Sequence, residues 1–193
     1  MTRVIPSIGG IALAVVAAVA SAAGQEVNPQ ARALKEFGDR TRAYLELRTR
    51  LAKHVPPVSE HATAEEIRIH QERLAAEIRK ARRGAKPGDI FTPPVVPQFR
   101  AVIRSDLKSR DLRDAMAAMQ EVPPTLSLYV NEPWPEDAPR GTVPPRLLNS
   151  LYPLPDGLEY RFLDRHLVLV DSEADLIVDF VKNVVPSIVR RGR

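Results

Sequence analysis

The chain has 193 residues, no cysteine, 18 prolines against 9 glycines, and a formal net charge of +4. That length suits one domain with a sizeable core and not comfortably two, and without cysteine neither a disulfide nor a lipid-modified bacterial N-terminus is possible. A charge this mild argues against nucleic acid as a partner and leaves an anionic envelope surface open.

The first residues carry one positive charge at Arg3, an apolar run from Ile8 to Ala20, and small residues from Ala20 to Gly24. This is the tripartite pattern of a secretory signal peptide. The run falls short of the roughly 20 apolar residues needed to span a bilayer. Residues 1–23 are therefore read as a signal peptide cleaved near Ala22 or Ala23, with a retained membrane anchor as the alternative, and the protein as exported to the periplasm or beyond. Residues 24–193 are read as a single α+β domain: 28–121 helical, 122–157 a proline-rich wrap, 158–181 a β-meander and 182–193 a basic tail.

Asn28-Pro29 is a helix start, since Asn caps free amides and Pro is tolerated at the first helical position. The helix should run to about Lys53, with Leu34, Phe37, Thr41, Tyr44, Leu45, Arg48 and Leu51 along one stripe. Gly38 weakens its middle by about 1 kcal/mol relative to Ala. Pro56-Pro57 ends it. Thr63 and Glu66 have capping-box spacing, and Ile67, His70, Leu74, Ile78 and Ala81 form the apolar side of a second helix closed by Gly84. The two helices should fold back as an αα-hairpin, apolar stripe against apolar stripe. Arg79, Arg82 and Arg83 gather with Lys80 and Lys86 at the second helix's C-terminal end, where positive charge offsets the macrodipole.

In the turn from Gly84 to Pro94, Ile90 and Phe91 should point to an apolar interior. A third helix is expected from Val95 or Gln98 to Gln120, burying Phe99, Val102, Ile103, Leu107, Leu112, Met116 and Met119, with Pro97 in its first turn. From Val122 to Pro155 proline excludes most regular structure, yet Leu126, Leu128, Trp134, Leu147 and Leu151 make the stretch too apolar for a solvated linker. It reads as an ordered wrap. Trp134 has two readings, packing beneath the wrap or a platform for stacking a ligand.

Leu158, Tyr160 and Phe162 alternate with Glu159 and Arg161, Leu167 to Val170 is continuously apolar, and Leu176 to Val181 is apolar except for Asp179. These are three strands of an antiparallel meander. The central strand is apolar at successive positions, so both sheet faces need cover. The helices can supply one face. The wrap, the tail with Val184 and Val185, or another molecule must supply the other, and a free strand edge invites pairing with a second chain.

Groupings with chemical potential are few. His61, His70, Glu65 and Glu66 are a candidate divalent-metal set, although their spacing matches no known ligand motif. Asp171, Glu173 and Asp175 lack the glycine and the distal Glu of a calcium loop, so they read as a polar turn. Ser172 has no nucleophile-elbow glycines, and no paired carboxylates face each other, so neither a serine triad nor glycosidase chemistry is indicated. No cofactor is implied. Trp134, Tyr160, Arg79, Arg82 and Arg83 are the candidate interaction surface.

The block LPDGLEYRF from Leu154, with LIVDF from Leu176, GDIFTP from Gly88 and PPRLL from Pro144, resembles a group of uncharacterised exported bacterial proteins across about the second half of the mature chain. The hairpin alone is similar to the tails of small periplasmic proteins, including nickel/cobalt-homeostasis regulators. Neither resemblance implies a reaction. Three readings of function follow: a non-catalytic interaction or structural protein of the envelope, binding an envelope protein or itself through the meander edge or helical face; a metal-responsive periplasmic binding protein; and an enzyme of unassigned reaction.

Overall fold

Local signals in the sequence set the ends of the helices. In the computed structural model, which describes residues 28–108 and 127–185, helix α1 spans Pro29–Ala52, and the Asn28 side chain accepts the Gln30 amide at 2.9 Å. Helix α2 spans Ala64–Ala81 behind the complete Thr63–Glu66 capping box. Helix α3, Val96–Lys108, carries Pro97 in its first turn. The expected continuation of α3 to Gln120, with Leu112, Met116 and Met119, lies outside the described residues, as do the signal-peptide reading and the tail beyond Val185. Among the described residues no helix is long and apolar enough to cross a membrane.

The fold is α+β, with the antiparallel meander at its centre: β2 (Leu158–Leu163), β3 (His166–Asp171) and β4 (Leu176–Val181). The wrap adds to this sheet. Its residues Gly141–Thr142 form β1, paired antiparallel with Phe162 and Arg161, so the strand order is β1-β2-β3-β4. The wrap also forms a bridge between Pro133 and Leu176 on the far edge, where Asn131 and Ile177 are joined backbone to backbone at 2.8 Å. Proline cannot donate to a ladder, so the wrap makes short contacts at both edges rather than a full strand at either. A single turn of helix, α4 (Pro145–Leu148), follows β1.

Both sheet faces are buried. Tyr160, Phe162, Leu167, Leu169 and Val178 join Phe37, Leu74, Ile78, Phe91, Phe99 and Ile103 in the larger core. There Phe37, Phe91 and Phe99 pack with centroids 5.0–5.2 Å apart, a separation at which tilted rings attract. The opposite face, Leu163, Val168, Val170, Ile177 and Phe180, lies under Leu128, Trp134 and Ala138 of the wrap. The wrap therefore provides the second cover. Val184 and Val185 belong to the larger core instead, so the segment expected to be a basic tail from residue 182 is anchored through Val185.

The apolar side of α2 is shorter than its periodicity suggests. Leu74, Ala75 and Ile78 are buried, whereas Ile67 and Ala81 are exposed. Only the second half of α2 buries side chains in the core.

Candidate functional site

Two carboxylates sit in strands that are mostly apolar, and burying such a charge is costly unless hydrogen bonds replace its water. Asp171 ends β3 with no solvent exposure. Its Oδ2 accepts the Tyr44 hydroxyl at 2.7 Å, and its Oδ1 accepts Arg48 Nη1 at 3.1 Å together with the amides of Glu173 and Ala174 at 2.9 and 3.1 Å. Arg48 also reaches Glu173 at 3.1 Å and the Gly157 carbonyl at 3.4 Å. Gly157 has φ +87°, a conformation that favours glycine, and a Cβ there would lie 2.5 Å from the guanidinium and displace it. Asp171, Tyr44 and Arg48 thus tie α1 to the β3–β4 turn. Burial, and then the Asp171 charge, push the Tyr44 hydroxyl well above the usual phenol range, so it is a fixed donor.

Asp179 is the second buried acid. It accepts the backbone amides of Gly88, Ile90 and Phe91 at 2.8–2.9 Å and that of Phe180 at 2.8 Å. Burial pushes its carboxyl up, against the four amides that pull it down. This carboxylate folds the α2–α3 connection around itself. Beside it Arg82 donates to Asn131 Oδ1 at 2.8 Å and to the Val178 carbonyl at 3.2 Å, and lies 5.0 Å from the Tyr44 ring centroid. Arg82 therefore links α2, the wrap and β4.

The candidate metal set is not brought together. His61 is exposed, His70 Nδ1 lies 2.9 Å from the Pro56 carbonyl, Glu65 is paired with Arg68, and Glu66 is held in the capping box. Consecutive positions on a helix point apart, and each carboxylate already has a nearer partner. Among the described residues no three His, Asp or Glu side chains converge to hold a metal.

The candidate interaction surface divides. Trp134 is 3% exposed, its indole N–H donating to the Ala138 carbonyl at 3.2 Å, and Tyr160 is 4% exposed with its hydroxyl on the Tyr152 carbonyl at 2.9 Å. Both are core side chains, which removes their rings from any surface. Arg82 is structural. Arg83 is exposed, and Arg79 is partly so.

One stretch of the meander edge is open. Beta-1 covers the outer side of β2 only at Arg161 and Phe162, because Pro144 and Pro145 turn the chain into α4. Beside Leu158–Tyr160 this leaves a half-open cleft of about 580 Å³ with a floor of Val143, Leu151, Tyr152 and Leu154. Leu148 stands at its rim, 47% exposed. The charged groups there, Glu159 and Arg161, pair with each other at 2.7 Å. Such a cleft suits an apolar, extended segment and offers no acid–base pair for chemistry.

Of these features, the buried acids are the ones sequence reasoning missed. The signal was one Asp inside the apolar run of β4, Asp179, and one at the end of that of β3, Asp171, but Tyr44 and Arg48, and the amides of Gly88, Ile90 and Phe91, lie far away in the chain.

No protein-family profile matches this chain. No curated protein matches it. Among solved structures it is similar to the C-terminal domain of inner membrane protein CigR from Salmonella enterica, at 25% sequence identity over 44% of this chain and 84% of that chain, with a TM-score of 0.34.

Proposed function

We propose that this protein is a non-catalytic interaction or structural module of the bacterial cell envelope, exported through the N-terminal signal and cleaved near Ala22 or Ala23. The observation that carries the reading is the use made of the buried polar groups. Tyr44, Arg48, Arg82, Asp171 and Asp179 each join separate elements of the fold, and each is consumed by partners within the chain. Catalytic groups are instead aimed into a cavity where substrate can meet them. What remains accessible is surface: the cleft beside Leu158–Tyr160 and the outward side of the helices. The cleft's apolar floor and adjoining strand edge favour a protein partner that contributes an extended segment.

The native mass tests this. Protein taken from a gentle envelope extract should be heavier by light scattering than the purified recombinant chain, and should fall to the monomer mass when its partner is stripped. A monomer in both preparations would remove the interaction reading.

A further inference from the structure

The charge of this protein is unevenly placed. Residues 73–108 carry nine Lys and Arg against three Asp and Glu, whereas residues 127–185 carry five against ten. The cations also differ in what they do. On α1 and the first half of α2, Lys35, Arg40, Arg42 and Arg68 are paired with acids three or four positions away. At the end of α2, Arg79, Lys80, Arg83 and Lys86 make no side-chain hydrogen bond or ion pair among the described residues. Four unpaired cations within eight residues repel one another, a cost that an anionic partner removes.

The neighbourhood of these cations narrows the choice of partner. The chain runs from Lys86 to Gly88, which shares a shallow cleft of about 540 Å³ with Arg100 and Arg104. Arg100 is fixed in place by donating to the Lys182 and Asn183 carbonyls, both at 2.8 Å. Between these cations the cleft is lined by Phe91, Val96 and Ala101. Cations around an apolar depression match a surface that presents phosphates above hydrocarbon, whereas an acidic polysaccharide would leave the apolar part unused.

We propose that the Arg79–Lys86 end of α2, with Arg100 and Arg104 of α3, docks on an anionic phospholipid bilayer. The proposal rests on the export reading, which places the chain beside such a membrane, and it adds a second attachment distinct from the cleft at Leu158–Tyr160. Binding of this kind is peripheral and reversible, and it weakens as salt screens the charges.

The test is sedimentation of the protein, recovered after export from its producing cells, with vesicles of phosphatidylcholine alone or mixed with phosphatidylglycerol. Binding should require phosphatidylglycerol and fall with added salt. Because each surface cation contributes about a fivefold factor, Lys80→Gln with Arg83→Gln should lower the partition coefficient about 25-fold. Arg50→Gln with Lys53→Gln removes the same charge from the exposed end of α1 and should retain wild-type binding. An unchanged melting midpoint in both double variants shows that the fold is intact. Equal loss in the two double variants, equal binding to neutral vesicles, or capture by an acidic polysaccharide without capture by vesicles would overturn the proposal. The cell fraction in which the chain is found separates the two readings: a chain confined to the cytoplasmic fraction defeats export, while the comparison between variants, made with that chain, still decides the surface.

Discussion

His166 opens β3 with its Nδ1 accepting the Asn183 amide at 3.0 Å, a bond that only the unprotonated nitrogen can make. Burial holds this imidazole below its ordinary value of 6.5, with Lys182 and Arg165 adding to the effect and Asp164 opposing it. A depressed native value means the neutral ring favours the folded state. The associated stability is present above 6.5 and is lost as pH falls through the native value. The exit from β4 should therefore loosen in mild acid. The protection factor of the Asn183 amide, its exchange rate by NMR taken relative to the intrinsic rate at each pH, should fall on acidification with a midpoint below 6.5; a midpoint at or above 6.5 would show that the bond does not control the imidazole. This link between His166 and Asn183 was invisible in the sequence, where His166 is one polar residue at the start of an apolar run. The same holds for Asp171 and Tyr44, whose bond spans 127 positions. Side-chain partnerships of that separation leave no periodic or spacing signal.

At the scale of elements the sequence was far more legible, because caps, strand alternation and proline act through near neighbours. Asn28, Thr63 with Glu66, and the three meander strands are where their local chemistry puts them. Local reasoning misled at Gly38. Taken alone this glycine is a weak point in α1, costing about 1 kcal/mol against alanine. In the fold it is buried, and a Cβ there would lie 2.2 Å from Tyr152 Oη and 2.9 Å from its Cζ. Tyr152 in turn packs edge-on against Phe37 at 5.5 Å. Gly38→Ala should therefore destabilise the protein by about 1–2 kcal/mol despite the better helix former, since overpacking outweighs propensity. Adding Tyr152→Leu should recover the difference in thermal unfolding relative to Tyr152→Leu alone. A stabilised Gly38→Ala would mean the ring moves aside without cost. The wrap was legible in kind but not in placement: its apolar residues demanded cover, yet nothing in the proline pattern told which face Trp134 would fill. The apolar stripe of α2 was overestimated at Ile67 and Ala81 because periodicity reports a face, not how far the core extends beneath it.

For the whole molecule, a thin sheet is covered on one side by helices and on the other by a nearly strandless wrap, and buried polar side chains secure the layers. Asp171 ties α1 to the β3–β4 turn, Asp179 ties the α2–α3 connection to β4, and Arg82 ties α2 to the wrap. With no disulfide to restrain it, a chain of this size depends on such ties in addition to its core. Their use in structure supports the proposal that the open edge of β2 and the cationic end of α2 are attachment surfaces. The two alternatives differ in the sign of one effect. Removing an acid that serves chemistry commonly leaves a protein as stable or more stable, because functional groups are held in strained or poorly compensated positions. Removing one that serves structure leaves its buried partners unsatisfied. Equilibrium urea unfolding of Asp171→Ala is therefore the most direct measurement. It should show a loss of about 3–5 kcal/mol, as Tyr44, Arg48 and two turn amides lose their acceptor; stability equal to or above that of the unaltered protein would contradict the account and make Asp171 a candidate for chemistry.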